Sequence, residues 1–178
     1  QRDHILTGME RHVPCRGETR AGYPTRALRN RDFHFIRNFQ PDRWPAGDPN
    51  GVEKSDRGPF SYEELVKNTF AAFADIDSGP TKAYMVTRRN QPEVRRLLDL
   101  ASAKRPGREL YDLKKDPYQL RNEAGDPAYA DTLKRLDAQL TAELKASGDP
   151  RVLSGLDFDQ YPRYQRLPAI DDAKKKGK

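Results

Sequence analysis

The stretch Glu109 to Ala124, E-L-Y-D-L-K-K-D-P-Y-Q-L-R-N-E-A, is the most legible part of this chain. An apolar pair around Tyr111 reads as a strand. Charged residues then turn the backbone, Asp116-Pro117 breaks it, and a short helical turn is expected to end near Asn122. A second Asp-Pro, Asp126-Pro127, opens a long amphipathic helix: Asp126 caps it and Pro127 takes its first position. Its apolar stripe is Leu133, Leu136, Leu140 and Leu144, and Gly148 supplies the stop. Beyond Asp149-Pro150 the chain reads as an extended tail carrying Tyr161 and Tyr164, with a basic end at Lys174 to Lys178.

Upstream of the opening stretch the elements shorten. Pro92 begins a helix with Val94, Leu97, Leu98 and Ala101 on one face, closed by Pro106-Gly107. Thr81 to Arg88 holds a helical turn or two. Phe60 to Phe73 reads as a helix with a Ser61/Glu64 capping box, a Phe60/Leu65 staple and the stripe Leu65, Val66, Thr69, Phe73. Between Gln40 and Pro59 the density of Pro and Gly excludes a regular element, which leaves a long surface loop. Tyr23 to Phe39 is a hairpin: Tyr23 to Leu28 gives one arm, Phe33 to Phe39 alternates on the other, and Asn30-Arg31-Asp32 forms the turn. Gly8 to Gly22 is a charged, glycine-rich loop, and His4 to Thr7 is a short strand.

The length of 178 residues suits one domain, but the composition does not suit a self-sufficient one. Only 35% of the residues are hydrophobic, 34% are charged, there are 14 prolines, and mean hydropathy is −1.01. A domain of this length should bury about 70% of its unfolded surface, and few segments could supply a two-sided core. The chain is therefore expected to wrap around something or to be a piece of something larger. The strand at His4 to Thr7 starts almost at Gln1 and has no evident neighbour, so its partners are expected in sequence that is not here. No run of 18 apolar residues exists, so no helical membrane span is read, and no signal peptide is visible. Cys15 is the single cysteine, so there is no internal disulfide. A net charge of +6 favours polyanions in general: nucleic acid, anionic lipid or sulfated glycan.

Four clusters could carry chemistry. Cys15 lies near His12, Arg11 and Arg16, where thiolate formation is conceivable, although an incidental loop cysteine is the commoner case. His4, His12 and His34 show no metal-ligand spacing, and the acidic pairs Asp75/Asp77 and Asp171/Asp172 are too ordinary to define a site. Glu10-Arg11-His12 follows directly on the first strand. Arginine offers a rigid fork to sulfate, phosphate or carboxylate, and histidine a donor whose charge varies near neutral pH. A solvated polar loop is the equal alternative. Arg26, Arg29, Arg31, Arg37 and Arg43 with Tyr23 and Trp44 make a basic-aromatic region that could hold nucleic acid, hold an anionic sugar, or be a charged face that binds nothing.

Glu109-Leu110-Tyr111-Asp112-Leu113, with Asp116-Pro117, Gln119 and Asn122, resembles the C-terminal signature of the type I, formylglycine-dependent sulfatases, in which Glu usually stands at Gln119 and Leu at Glu123. Leu6 to Pro14, Gly22 to Ala27, Phe35 to Phe39 and Gln40 to Gly47 resemble the bacterial branch near heparan N-sulfatase (sulfamidase). The order of these motifs is more specific than any one of them, and the resemblance spans about residues 4 to 147.

That resemblance implies an α/β, alkaline-phosphatase/sulfatase-like fold. Residues 1-22 would be the end of the catalytic domain, with His4 to Thr7 a strand of its large sheet. Residues 23-148 would be a small α+β C-terminal subdomain with the hairpin and the long helix, and 149-178 an extended tail. The implied reaction is hydrolysis of sulfate esters or sulfamates on a sulfated glycan, in a periplasmic or secreted enzyme. Its formylglycine nucleophile arises in a C/S-x-P-S-R motif, which Cys15-Arg16-Gly17-Glu18-Thr19 does not match. Formylglycine and Ca2+ would therefore belong to a missing N-terminal catalytic portion, the chain's main partner, and this chain alone would be inactive. Arg11 and His12 would contact substrate, with Glu10 positioning Arg11. A non-catalytic basic module for nucleic acid or another polyanion is the second expectation; under the sulfatase reading neither nucleic acid nor a membrane is an expected partner.

Overall fold

The strand around Tyr111 lies at one edge of a four-stranded sheet in the computed structural model, which describes residues 3–10, 12–13, 15–17, 21–52 and 60–153. The strands are β1 (His4–Met9), β2 (Thr25–Asn30), β3 (Phe33–Asn38) and β4 (Arg108–Asp112), in that spatial order. Every neighbouring pair is antiparallel. The expected hairpin is β2–β3. The Asn30 side-chain oxygen accepts from the backbone N–H of Asp32 (2.9 Å) and of Phe33 (2.7 Å), which closes the turn.

β1 departs from expectation. Its neighbour lies within this chain: β2 pairs with it from His4↔Asn30 to Met9↔Thr25. It belongs to this antiparallel sheet, at the end opposite β4. The reason is that β2 has two edges, one taken by β3 and one left for the segment that returns to it.

The chain divides into two compact units. The first comprises Gln1–His12, Tyr23–Arg43 and Lys104–Phe158; the second comprises Val13–Gly22, Trp44–Ala103 and Asp159–Lys178. In the first, strand alternation places Leu28, Phe35 and Leu110 on one face of the sheet, directly opposite one another in register. The helix α4 (Ala130–Ala146) covers them with Leu136, Leu140 and Leu144. Burying each such side chain stabilises by about 1.5–3 kcal/mol. α4 starts after a 3-10 turn at Pro127–Tyr129, where the Asp126 carboxylate accepts from Ala128 N–H at 2.9 Å. It ends with Gly148 at φ +76°, whose N–H reaches Lys145 O, while Asp149 N–H reaches Leu144 O. Only a residue tolerant of left-handed backbone makes that stop without strain.

Between β4 and α4 the expected helical turn is absent; residues 113–126 are turns and bends. The Asp112 carboxylate accepts from Lys114 and Lys115 N–H, and the Asp116 carboxylate from Arg121 N–H. Amides held this way are not offered to a helix. This segment also covers the outer edge of β4. The Asn122 side-chain oxygen accepts from Leu110 N–H at 2.9 Å, and Glu123 N–H donates to Leu110 O at 2.8 Å.

Past α4, the short helix α5 (Pro150–Leu153) replaces the start of the expected extended tail. The Asp149 carboxylate accepts from Arg151 N–H at 2.9 Å, so this Asp-Pro pair opens a helix just as Asp126-Pro127 does. The remainder of that tail, 154–178, lies outside the described residues.

The second unit is built of short helices. α1 (Tyr62–Lys67) is capped by Ser61, whose hydroxyl accepts from Glu64 N–H. It stops six residues before Phe73, because the Asn68 side chain takes Phe70 N–H and Phe73 adopts φ +44°. α2 (Pro80–Thr87) and α3 (Pro92–Ser102) follow. α3 buries Val94 and Leu98 but leaves Leu97 52% exposed, a narrower stripe than expected. The core holds Leu65, Phe73, Ala83, Val86 and Leu98 with several alanines. Ala46 and Val52 join it, so the segment after Gln40 is not a surface loop throughout, and Trp44 packs edge-on against Phe73. Among the described residues no helix is long and apolar enough to cross a membrane.

Candidate functional site

Glu10 leaves the end of β1 and enters a cluster of alternating charge within the first unit. Its carboxylate accepts from Arg26 Nη2 at 2.6 Å and, in bidentate fashion, from Arg151 Nε at 3.0 Å and Nη2 at 2.6 Å. Arg26 Nε donates to Asp149 at 2.6 Å, and its Nη1 to the backbone oxygens of Thr25 and Met9. Burial opposes the charge on Arg26, but its bonds to Asp149 and Glu10 outweigh that and raise its pKa. Burial likewise opposes the Asp149 carboxylate, and its bond from Arg26 brings it below the usual range. The cluster pins β1, β2 and the start of α5 to one another.

Among the described residues the Glu10 carboxylate serves Arg26 and Arg151; Arg11 lies outside the described residues, and its expected orienting by Glu10 lies outside them with it. His12 is exposed. Immediately after it, in the second unit, Val13 N–H donates to the Asp75 carboxylate at 2.9 Å.

Asp75 also pairs with the buried Arg16 through Nη2. The rest of that guanidinium is spent on backbone: Nε donates to Trp44 O at 2.6 Å and Nη2 to Pro45 O. Gly17 N–H donates to the Asp48 carboxylate at 2.6 Å, and Asp48 N–H to Cys15 O. Val13 and Arg16 are thus held by Asp75, and Cys15 and Gly17 by Asp48. Cys15 sits against Gly47, where an added Cβ would lie 2.7 Å from the sulfur. Gly47 has φ +88°, so both the space and the backbone there require glycine.

Lys82 is a buried cation that sequence reasoning passed over. Its Nζ donates to Thr69 O at 2.8 Å, Phe73 O at 3.3 Å and Ile76 O at 2.9 Å, and burial pushes its pKa down to about 8. The signal was present: Lys82 and Val86 share one face of α2, four residues apart.

Three members of the basic-aromatic region are engaged within their own units. Arg26 is taken up in the cluster above, Arg37 by Asp137 and Thr141 of α4, and Trp44 by the core of the second unit. His4 bridges Glu143 (2.8 Å) and Asp3 (2.6 Å), and His34 bonds to Gln119. Among the described residues no group of three or more His, Cys, Asp or Glu could hold a metal ion.

Over 124 residues the chain is 27% identical to the ulvan-active sulfatase of Formosa agariphila. The similarity is sulfatase homology at modest identity. It covers 70% of this chain and 17% of that relative, so the chain spans a small part of the relative's length. A solved structure of a candidate sulfatase from Bacteroides thetaiotaomicron aligns with 84% of this chain and 18% of its own, at 15% identity and a TM-score of 0.42. No family model matches the chain.

Proposed function

We propose that this chain is the C-terminal region of a formylglycine-dependent sulfatase, of the branch near the bacterial heparan N-sulfatases, that hydrolyses sulfate esters or sulfamates of a sulfated glycan. The observation that carries the reading is the similarity to a sulfatase over 124 residues, together with the ordered motifs from Leu6 to Asn122. In this reading the nucleophile and the Ca2+ ligands lie in an N-terminal catalytic portion, which is the chain's partner, and the enzyme works in the periplasm or outside the cell. The described residues offer no cluster fit for a metal, so no step is assigned to one here.

The part left to this chain is substrate contact by Arg11 and His12. Arg11 brings a planar donor fork suited to a sulfate, and His12 a donor that strengthens on protonation. The residues on either side are anchored: Glu10 by Arg26 and Arg151, Val13 by Asp75.

The test uses the complete reading frame. A C/S-x-P-S-R motif upstream and turnover of sulfated glycans are expected, with Arg11→Ala and His12→Ala each lowering kcat/KM by roughly tenfold or more. Unchanged kinetics in both variants on every glycan tested would remove the substrate-contact role. No such motif upstream would remove the sulfatase reading itself.

A further inference from the structure

Three hollows on the first unit run into one another along α4. One of about 340 Å³ is bounded by Arg108, Ala124, Leu133 and Lys134; a second of about 630 Å³ shares Arg108, Ala124 and Leu133 with it. A third of about 500 Å³ shares Lys134 and Asp137 with the first and continues past Ala138 to Lys145. Lys134, Ala138, Thr141 and Lys145 are spaced by three or four residues and so form one stripe of the helix. From Lys134 to Lys145 the stripe runs roughly 16 Å, which suits a short linear chain better than a single ion.

The charge along this groove is unevenly answered. Asp137 serves both Arg37 (3.0 Å) and Arg108 (3.0 Å), so one carboxylate faces two guanidiniums, and the Arg108 side chain remains 58% exposed. Lys134 and Lys145 have no ion-pair partner among the described residues. Ala124, Leu133 and Ala138 give an apolar floor between the cations, and the carboxylates that line it are Asp137 and Asp126, the latter paired with Arg121 at 3.8 Å. No aromatic ring lines it among the described residues. Single-stranded nucleic acid binding draws on aromatic platforms for its bases, whereas the C–H faces of sugar rings can lie on small apolar side chains while the sulfates meet the cations.

We propose that this groove, from Arg108 through Lys134 to Lys145, binds a linear sulfated oligosaccharide. The choice of a sulfated sugar as ligand rests on the sulfatase reading; the existence of an anion-binding groove does not. Charge reversal on α4 should abolish it with little structural cost, because Lys134 and Lys145 are exposed.

The experiment measures binding of the 178-residue chain to a heparin-derived octasaccharide at about 50 mM salt, beside its fully desulfated counterpart and a single-stranded oligonucleotide of equal charge. Lys134→Glu/Lys145→Glu and Arg108→Ala are compared with Lys67→Ala, a control in the second unit, and circular dichroism confirms that each variant is folded. The expected result is at least a tenfold loss of heparin binding in the groove variants, none in the control, and a salt slope lower by roughly one per cation removed. Equal binding by wild type and groove variants overturns the proposal. So does an oligonucleotide that binds as tightly and loses affinity in the same variants. Loss of sulfatase turnover cannot mimic either result, since the reading frame's activity on glycans is measured separately through Arg11 and His12.

Discussion

The two units solve the same problem with different chemistry. In the first, the backbone pairs with itself: β1 to β4 exchange N–H and C=O along three antiparallel ladders, and α4 lays leucines over the apolar face. Its charged side chains answer one another around the perimeter, as in Glu10–Arg26–Asp149 and Arg37–Asp137. In the second, turns and short helices leave carbonyls facing inward, and two buried cations answer them. Arg16 takes those of Trp44 and Pro45; Lys82 takes those of Thr69, Phe73 and Ile76. A buried donor or acceptor left unpaired costs about 1–3 kcal/mol, so a loop can pack inside only where such partners exist. A long cationic side chain can do locally what a neighbouring strand does elsewhere.

The sharpest way to break this contrast is to remove one cation. Arg16→Met should destabilise the second unit by about 4 kcal/mol, because it removes the guanidinium that pairs with the Asp75 carboxylate and holds two inward carbonyls. Urea unfolding followed by the fluorescence of Trp44, whose backbone oxygen Arg16 holds, would read this; a loss below 1 kcal/mol would show that the apolar cluster alone suffices. Next comes Leu140→Ala in the first unit, expected to cost about 3 kcal/mol by opening a cavity beneath the sheet. Amide exchange at Leu28 and Phe35 should accelerate accordingly, and unaltered protection there would separate α4 from the stability of the sheet.

Titration gives the contrast opposite signs. Burial lowers the Lys82 pKa from 10.5 to about 8, so the folded state holds fewer protons than the unfolded state between those values. Burying the ammonium therefore works against stability below about pH 8, and that opposition fades as pH rises from 8 to 10.5. Wild type minus Lys82→Met should show stability rising across this window; a flat difference would mean that the three carbonyls fully compensate the burial. His4 runs the other way and has the smallest effect. Its bonds to Glu143 and then Asp3 raise its pKa, so its contribution is complete below the unfolded value of 6.5 and is lost as pH rises through the higher folded value. About 0.5 kcal/mol is at stake for so exposed a pair. His4→Gln should flatten the wild-type profile above pH 6.5, and an unchanged profile would assign that dependence elsewhere.

What could be read from the sequence follows the same division. α4 was legible because its leucines recur every three or four residues between an Asp-Pro start and a glycine stop, and the hairpin because Phe33, Phe35 and Phe39 alternate around an asparagine turn. β1 was visible as a strand, but five of its six positions are exposed, so no alternation marked which face it buries or which strand it joins. α1 was overextended because Thr69 and Phe73 continue its spacing; what ends it is the Asn68 side chain, with Lys82 gathering the carbonyls beyond. α5 is not legible because Asp149-Pro150 follows a glycine stop and reads as a breaker, whereas the same dipeptide at Asp126-Pro127 precedes a leucine stripe. At the candidate site Glu10 stood out, yet its partners lie 16 and 141 residues away. Local spacing carries no information about such pairs.

The segment over the outer edge of β4 has a consequence for how this sheet can grow. Asn122 and Glu123 occupy the N–H and C=O of Leu110 that a further strand would need, and so they terminate the sheet from within the chain. β1 has no comparable guard among the described residues. Among the described residues hydrogen-bonded extension is thereby polarised: closed beside β4 and open beside β1, so that an added strand would approach from the β1 side.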